Sequence, residues 1–192
     1  MAHLIRGWMI LALLAVTTFS QAGTQPARSV WGWVELVRIE PMGALVKAKL
    51  DSGALTSSLH ARGIETFRRD GETWVRFVVD VQDHDSGELV EHAFEQPRYR
   101  QVRIRGAGGE SSRPVVLMTF CIGDTRYEEQ VTLRDRGSMN YPVLLGRRTL
   151  QHLGALDVTQ TFTQRPACDD NAFTLTQDEV EEDDSIEDEQ TL

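Results

Sequence analysis

The sequence of 192 residues has little cysteine and, past its first 22 residues, no long apolar run. Two cysteines, Cys121 and Cys168, exclude a disulfide-dense scaffold and the Cys-x-x-Cys pairs of a structural zinc site. No later stretch approaches the roughly 20 apolar residues of a membrane-spanning helix. There is no phosphate loop ending in Gly-Lys-Ser/Thr and no His-Glu-x-x-His run, so no motif points to nucleotide or zinc chemistry. A basic surplus is missing too. The formal net charge is -9, and nine of the acids are Asp178, Glu179, Glu181, Glu182, Asp183, Asp184, Glu187, Asp188 and Glu189, with no base among them. Removing them leaves 20 acids against 20 bases, which gives no electrostatic case for nucleic acid.

What is present divides the chain. Arg6, the apolar run Trp8 to Val16 and the small residues of Ser20-Gln21-Ala22 read as a cleaved signal peptide over 1–22, followed by a linker over 23–29. The expectation is an exported, periplasmic protein with no stable membrane insertion after cleavage. One domain over 30–165 fits the length, and the segment 166–192 reads as an acidic, disordered tail. Export would put both cysteines in an oxidising compartment, where a bridge would close a long loop and add roughly 4 kcal/mol. Two cysteines do not establish a bridge. Cys121 lies in the apolar run Val115 to Ile122 and reads as a plain buried thiol, and Cys168 falls in the tail.

The domain alternates like a β protein. Val30 to Ile39 reads as a strand, Pro41-Met42-Gly43 as a turn, and Val46, Ala48 and Leu50 as the buried face of a second strand. Leu55 to Ile64 reads as a turn or the start of a short helix. Arg69-Asp70-Gly71 is a hairpin signal before Trp74 to Val81, and Asp83 to Glu95 reads as a loop or hairpin extension. Arg98 to Arg105 leads as a basic strand into Gly106-Ala107-Gly108-Gly109. Val115 to Ile122 and Tyr127 to Leu133 form a hairpin around Gly123-Asp124. A short strand over Val143 to Leu145 precedes a helix over Arg148 to Leu153 capped by Gly154, and Ala155 to Val158 is the last strand.

The chemistry concentrates at Asp51-Ser52-Gly53, where the second strand runs into a carboxylate, a hydroxyl and a glycine. Alone, such a step is more often an ordinary turn. Here it sits in AKLDSGALTSSLHA, and the blocks IETFRRDGETWVRF, RPVV and TLRDRGSMNYPVLLGR follow in order. These blocks resemble the bacterial family of retropepsin-like aspartic endopeptidases whose members are often called putative ATP-dependent zinc proteases. The likeness runs from about Trp31 to Val158. It departs from the family in carrying Asp-Ser-Gly for the commoner Asp-Thr-Gly, which keeps the hydroxyl, and in the divergent Pro41-Met42-Gly43 turn.

The resemblance implies a mainly β fold, a retropepsin-like acid-protease barrel with one short helix and an active site at a two-fold dimer interface. It implies an aspartic endopeptidase in which Asp51 of each protomer forms the dyad, Ser52 orients it, Gly53 and Ala54 complete the turn, and Leu145, Gly146 and Arg147 support it. The partners are then a peptide or protein substrate and a second copy, with no cofactor and no metal. A flap would come from Asp83 to Pro97 or from Gly106 to Gly109. Two carboxylates sharing one proton predict a bell-shaped pH profile, with burial raising its upper limb. Two other readings stand beside this one: a catalytically silent binding or assembly module of the same fold, and a zinc-dependent protease, for which His60, His84, His92 and His152 would be the ligands to test.

Overall fold

A computed structural model describes residues 29–106 and 109–176. The expected signal peptide and most of the linker lie outside the described residues, as do positions 107 and 108 and the acidic run from Asp178 onward.

The core is a closed barrel of six strands. β1 (Val30–Glu40) pairs antiparallel with β2 (Ala44–Leu50), and β2 pairs parallel with β10 (Val143–Leu145). β10 then pairs with β3 (Ser57–His60), β3 with β9 (Thr125–Arg134), β9 with β8 (Gly109–Ile122), and β8 returns to β1. Closure follows from the pattern of the strands. Val46, Ala48, Leu59, Phe120, Val131, Leu133, Val143 and Leu145 fall at alternate positions of their strands and are buried in one apolar cluster. A flat sheet of these strands would leave unpaired N–H and C=O groups along two edges, and the β1–β8 pairing joins those edges.

Three elements hang on the barrel. β7 (Arg100–Gly106) pairs with β8 alone and extends it into a two-stranded arm, while β11 (Ala155–Thr161) lies parallel to β1. A separate sheet is made by β4 (Arg62–Arg69), β5 (Glu72–Gln82) and β6 (Leu89–Pro97). The β4–β5 turn is Asp70-Gly71, with φ values of 50° and 85°, as the hairpin signal requires. The helix α1 (Arg147–Leu153) is closed by Gly154, whose N–H donates to the Leu150 carbonyl.

Two expectations are corrected. Leu55 to Ile64 holds no helix: it contains the barrel strand β3 and the start of β4, because β9 and β10 supply ladder partners from more than 70 positions away. Of the two readings of Asp83 to Glu95, the hairpin extension is the one that forms: β6 begins at Leu89, pairs antiparallel with β5 and buries Phe94 against Phe77, ring centroids 5.3 Å apart. The domain does not stop at 165. Cys168 is disulfide-bonded to Cys121, and β12 (Thr174–Leu175) adds to the edge of β9, so the chain is folded onto the barrel as far as Thr176.

Candidate functional site

The site begins where β2 ends. The Asp51 N–H donates to the Leu145 carbonyl (2.8 Å), continuing the β2–β10 ladder by one step, and the Ala54 N–H donates back to the Asp51 carbonyl (3.2 Å) to close a tight turn. β10 is inserted between the two strands that flank this turn. Past β10 the chain reaches across: the Arg147 N–H donates to the Ala54 carbonyl (2.8 Å) and the Arg148 N–H to the Leu55 carbonyl (3.2 Å). The Arg147 guanidinium donates to the Ser52 carbonyl at 3.0 Å. Residues 51–55 are therefore laced to residues 145–148. Gly146 permits this approach, because a Cβ there would meet the Leu55 and Thr56 backbone within 3 Å.

All seven residues singled out in the sequence, Asp51, Ser52, Gly53, Ala54, Leu145, Gly146 and Arg147, thus meet in one place. Ser52 makes no side-chain hydrogen bond among the described residues, and its carbonyl serves Arg147 instead.

The Asp51 carboxylate is 23 % exposed. One oxygen accepts from the Gly53 N–H (3.0 Å) and the other from the Lys49 ammonium (2.9 Å). Lys49 was not among the expected site residues, although its place two positions upstream on a strand puts it on the same face. Its hydrogen bond is the largest influence on Asp51 and holds the carboxyl below its ordinary value; burial acts the other way and loses. The expected upward shift from burial is therefore not what the single chain shows.

The face that carries Lys49 continues across the sheet. Lys49 pairs with Leu144, Leu144 with Ser58, Ser58 with Thr132 and Thr132 with Val115, so these five form one row beside Asp51. The Ser58 hydroxyl is buried and has no hydrogen-bond partner among the described residues. Next to this row lies a groove of about 570 Å³ lined by Lys47, His60, Asp80, His84, Arg136 and Met139 among others. Arg136 is buried, which pushes its guanidinium down from its ordinary value, and Arg134 and Arg113 add like-charge repulsion while Asp51 opposes it. Arg113 is likewise lowered, by burial first and then by Arg134. The groove sets Lys47 and Arg136 against Asp80 and Asp83, so bases and acids are balanced along its lining.

A buried polar network stands behind the turn, and no sequence signal announced it. The Gly146 N–H donates to Ser57 Oγ (3.0 Å), which shares a hydrogen with Thr149 Oγ1 (2.7 Å). Thr149 Oγ1 contacts Glu129 Oε2 (2.9 Å), and Glu129 Oε1 contacts His152 Nδ1 (3.0 Å). Glu129 is 1 % exposed and so depends wholly on these partners.

The histidines weighed as zinc ligands are dispersed. His60 Nδ1 accepts from the Arg136 N–H (2.8 Å), which leaves Nε2 to donate to Asp80 (3.1 Å). His152 serves Glu129, His84 stacks on Phe162 and His92 meets the edge of Phe94. Among the described residues no three His, Cys, Asp or Glu side chains gather as a metal site.

Comparison with known proteins gives this geometry a family. The family model described as retropepsin-like aspartic endopeptidase RimB matches residues 30–167. Two curated relatives, both named probable alpha-L-glutamate ligase, come from Shewanella pealeana and Parasynechococcus marenigrum. They are 34 % identical over 118 residues and 35 % identical over 106, covering 61 % and 55 % of this chain. The matched stretch is only 25 % and 22 % of those relatives, about a quarter of their length. A solved structure of a Legionella pneumophila protein of unknown function superposes with a TM-score of 0.60 at 33 % identity, over 71 % of this chain and 98 % of that one. The chain belongs to the RimB-like family of retropepsin-like aspartic endopeptidases.

Proposed function

We propose that the protein is an aspartic endopeptidase that works as a homodimer, with Asp51 from each of two copies forming the catalytic pair. The observation that carries this reading is Asp51 itself: a partly exposed carboxylate at a strand end, fixed through its backbone to Leu145 and through its side chain to Gly53. In the paired site one carboxylate takes a proton from water, which attacks the scissile carbonyl, and the protonated partner donates to the carbonyl oxygen as charge grows there. The tetrahedral intermediate then collapses with proton transfer to the leaving amine. Ser52 stands where its free hydroxyl could bond the pair, and the β7–β8 arm, tied at its base by Arg100 to Thr56 (3.1 Å) and Gln130 (2.7 Å), is the candidate cover.

The relatives named for a ligase of L-glutamate support a substrate with bonds beside glutamate. Lys49 at Asp51 and Lys47 and Arg136 in the groove offer positive charges to such a substrate, with Asp80 and Asp83 among them in the groove. The N-terminal signal pattern supports a periplasmic site of action, and the Cys121–Cys168 bridge supports an oxidising compartment.

The relatives' names also favour a second reading, in which the domain holds a glutamate-bearing chain without cutting it. One substitution separates the two. Asp51→Asn should abolish hydrolysis of a fluorogenic peptide carrying consecutive glutamates, while circular dichroism and sedimentation stay those of the wild-type dimer. Binding of that peptide without cleavage by the wild type would favour the silent module, and a strictly monomeric protein that still cleaves would overturn the shared dyad.

A further inference from the structure

We propose that Lys49 is a working residue of this site, which holds Asp51 ionised in the resting chain and yields to a substrate carboxylate before two Asp51 side chains share a proton. This rests on the dyad reading above and adds a charge-setting residue to it.

A catalytic pair keeps one proton because two carboxylates at hydrogen-bond distance cannot both remain ionised. An ammonium at 2.9 Å from each of them removes that reason. Two Asp51 and two Lys49 side chains together carry no net charge, so the pair can lose both protons and is left without a general acid. Other groups facing Asp51 do not compensate. The Gly53 N–H also favours the charged form, the Arg147 guanidinium is engaged with the Ser52 carbonyl, and the Arg136 guanidinium adds a further positive charge from the β9–β10 loop. From β1 and β10 the residues beside Lys49 are Val34 and Leu144, which bring no charge.

Lys49 can be drawn away. Its side chain is 38 % exposed, and Lys47, two positions upstream on the same face of β2, lines the groove, so an acidic substrate residue entering beside them competes with Asp51 for the ammonium. Once Lys49 turns to the substrate, the two carboxylates repel again and one proton is taken up from solvent. Cleavage then becomes conditional on an acidic side chain next to the scissile bond. Lys49 is a positioning and specificity residue here, with no bond to the reacting carbonyl.

The test has two arms. Asp51 is followed by its carboxyl carbon resonance across pH in the full chain and in Lys49→Met, Lys49→Gln and Lys49→Arg, with no substrate present. Met and Gln should move the Asp51 midpoint upward and Arg should leave it low. A midpoint unmoved in both neutral variants overturns the proposal. In the second arm, a fluorogenic peptide with consecutive glutamates is compared with its glutamine counterpart. The wild type should prefer the glutamate peptide, and the neutral variants should lose most of that preference with the alkaline limb of the profile moved to higher pH. An unchanged preference also overturns the proposal. Asp51→Asn keeps the two ideas apart: if it cleaves like the wild type, the dyad fails whatever Lys49 does, and if it is inactive while Lys49→Gln behaves as wild type, only the role of Lys49 fails.

Discussion

Gly146 and Leu55 lie backbone to backbone, so close that a Cβ on Gly146 would stand 2.7 Å from the Leu55 carbonyl oxygen. No side-chain rotation relieves such a contact, because both groups are main chain. Gly146→Ala must therefore push the 145–148 segment away from the turn that holds Asp51, at a cost of about 1–3 kcal/mol for overpacking. Thermal unfolding should show the loss. Peptidase activity should fall further than stability, since the displaced hydrogen bonds are those that set Asp51.

The buried network behind the turn predicts a coupled response. Thr149→Val leaves Glu129 with His152 alone and deprives Ser57 of a partner, and an unmet buried group costs about 1–3 kcal/mol. Ser57→Ala should cost a comparable amount. The double variant should cost clearly less than the two together, because both remove the same hydrogen bond. Denaturant titration of the four proteins measures the coupling, and strict additivity would mean the network is not a unit.

The Cys121–Cys168 bridge closes a loop of 47 positions that contains all of β9, β10, α1 and β11. Its loop-closure contribution is about 4 kcal/mol in the chain-entropy model. Cys168→Ser should lower the midpoint of unfolding accordingly, and a reductant should do the same to the wild type and nothing to the variant. A chain ending at Arg165 would lose the bridge and β12 together, so it should be less stable than one ending at Thr176.

Asp83, which lines the groove, predicts a pH effect on stability. The Ser86 N–H, followed by the Leu45 N–H, holds its carboxyl down to about 2. A carboxylate depressed in the folded chain contributes stability that is complete above its ordinary value, about 4, and is lost as pH falls through its folded value. Asp83→Asn should therefore weaken the protein at neutral pH and flatten its acid unfolding between about pH 4 and pH 2. Because the Leu45 bond ties the β5–β6 turn to the start of β2, hydrogen exchange should rise at that junction first.

Much of the fold was legible from local chemistry. Alternating burial gave β1, β2, β5, β8 and β9, Asp70-Gly71 and Gly123 gave their turns, and Gly154 ended the helix where a cap was expected. Asp51 was legible because a carboxylate and a glycine at the end of an apolar strand form a local pattern, and the blocks that followed gave it a family. What needed the tertiary structure was every feature whose partner is distant. β3 is four residues with two serines, and it is a strand only because β9 and β10 bracket it. Cys168 looked like tail sequence until the fold brought it to Cys121. Glu129 shares its strand face with Tyr127, Val131 and Leu133, but only the packing of α1 brings Thr149 and His152 to that buried acid. Lys49 is the case between. Sequence places it on the face of Asp51, but a flexible ammonium has many possible partners, and only the surrounding side chains decide that it rests on this carboxylate.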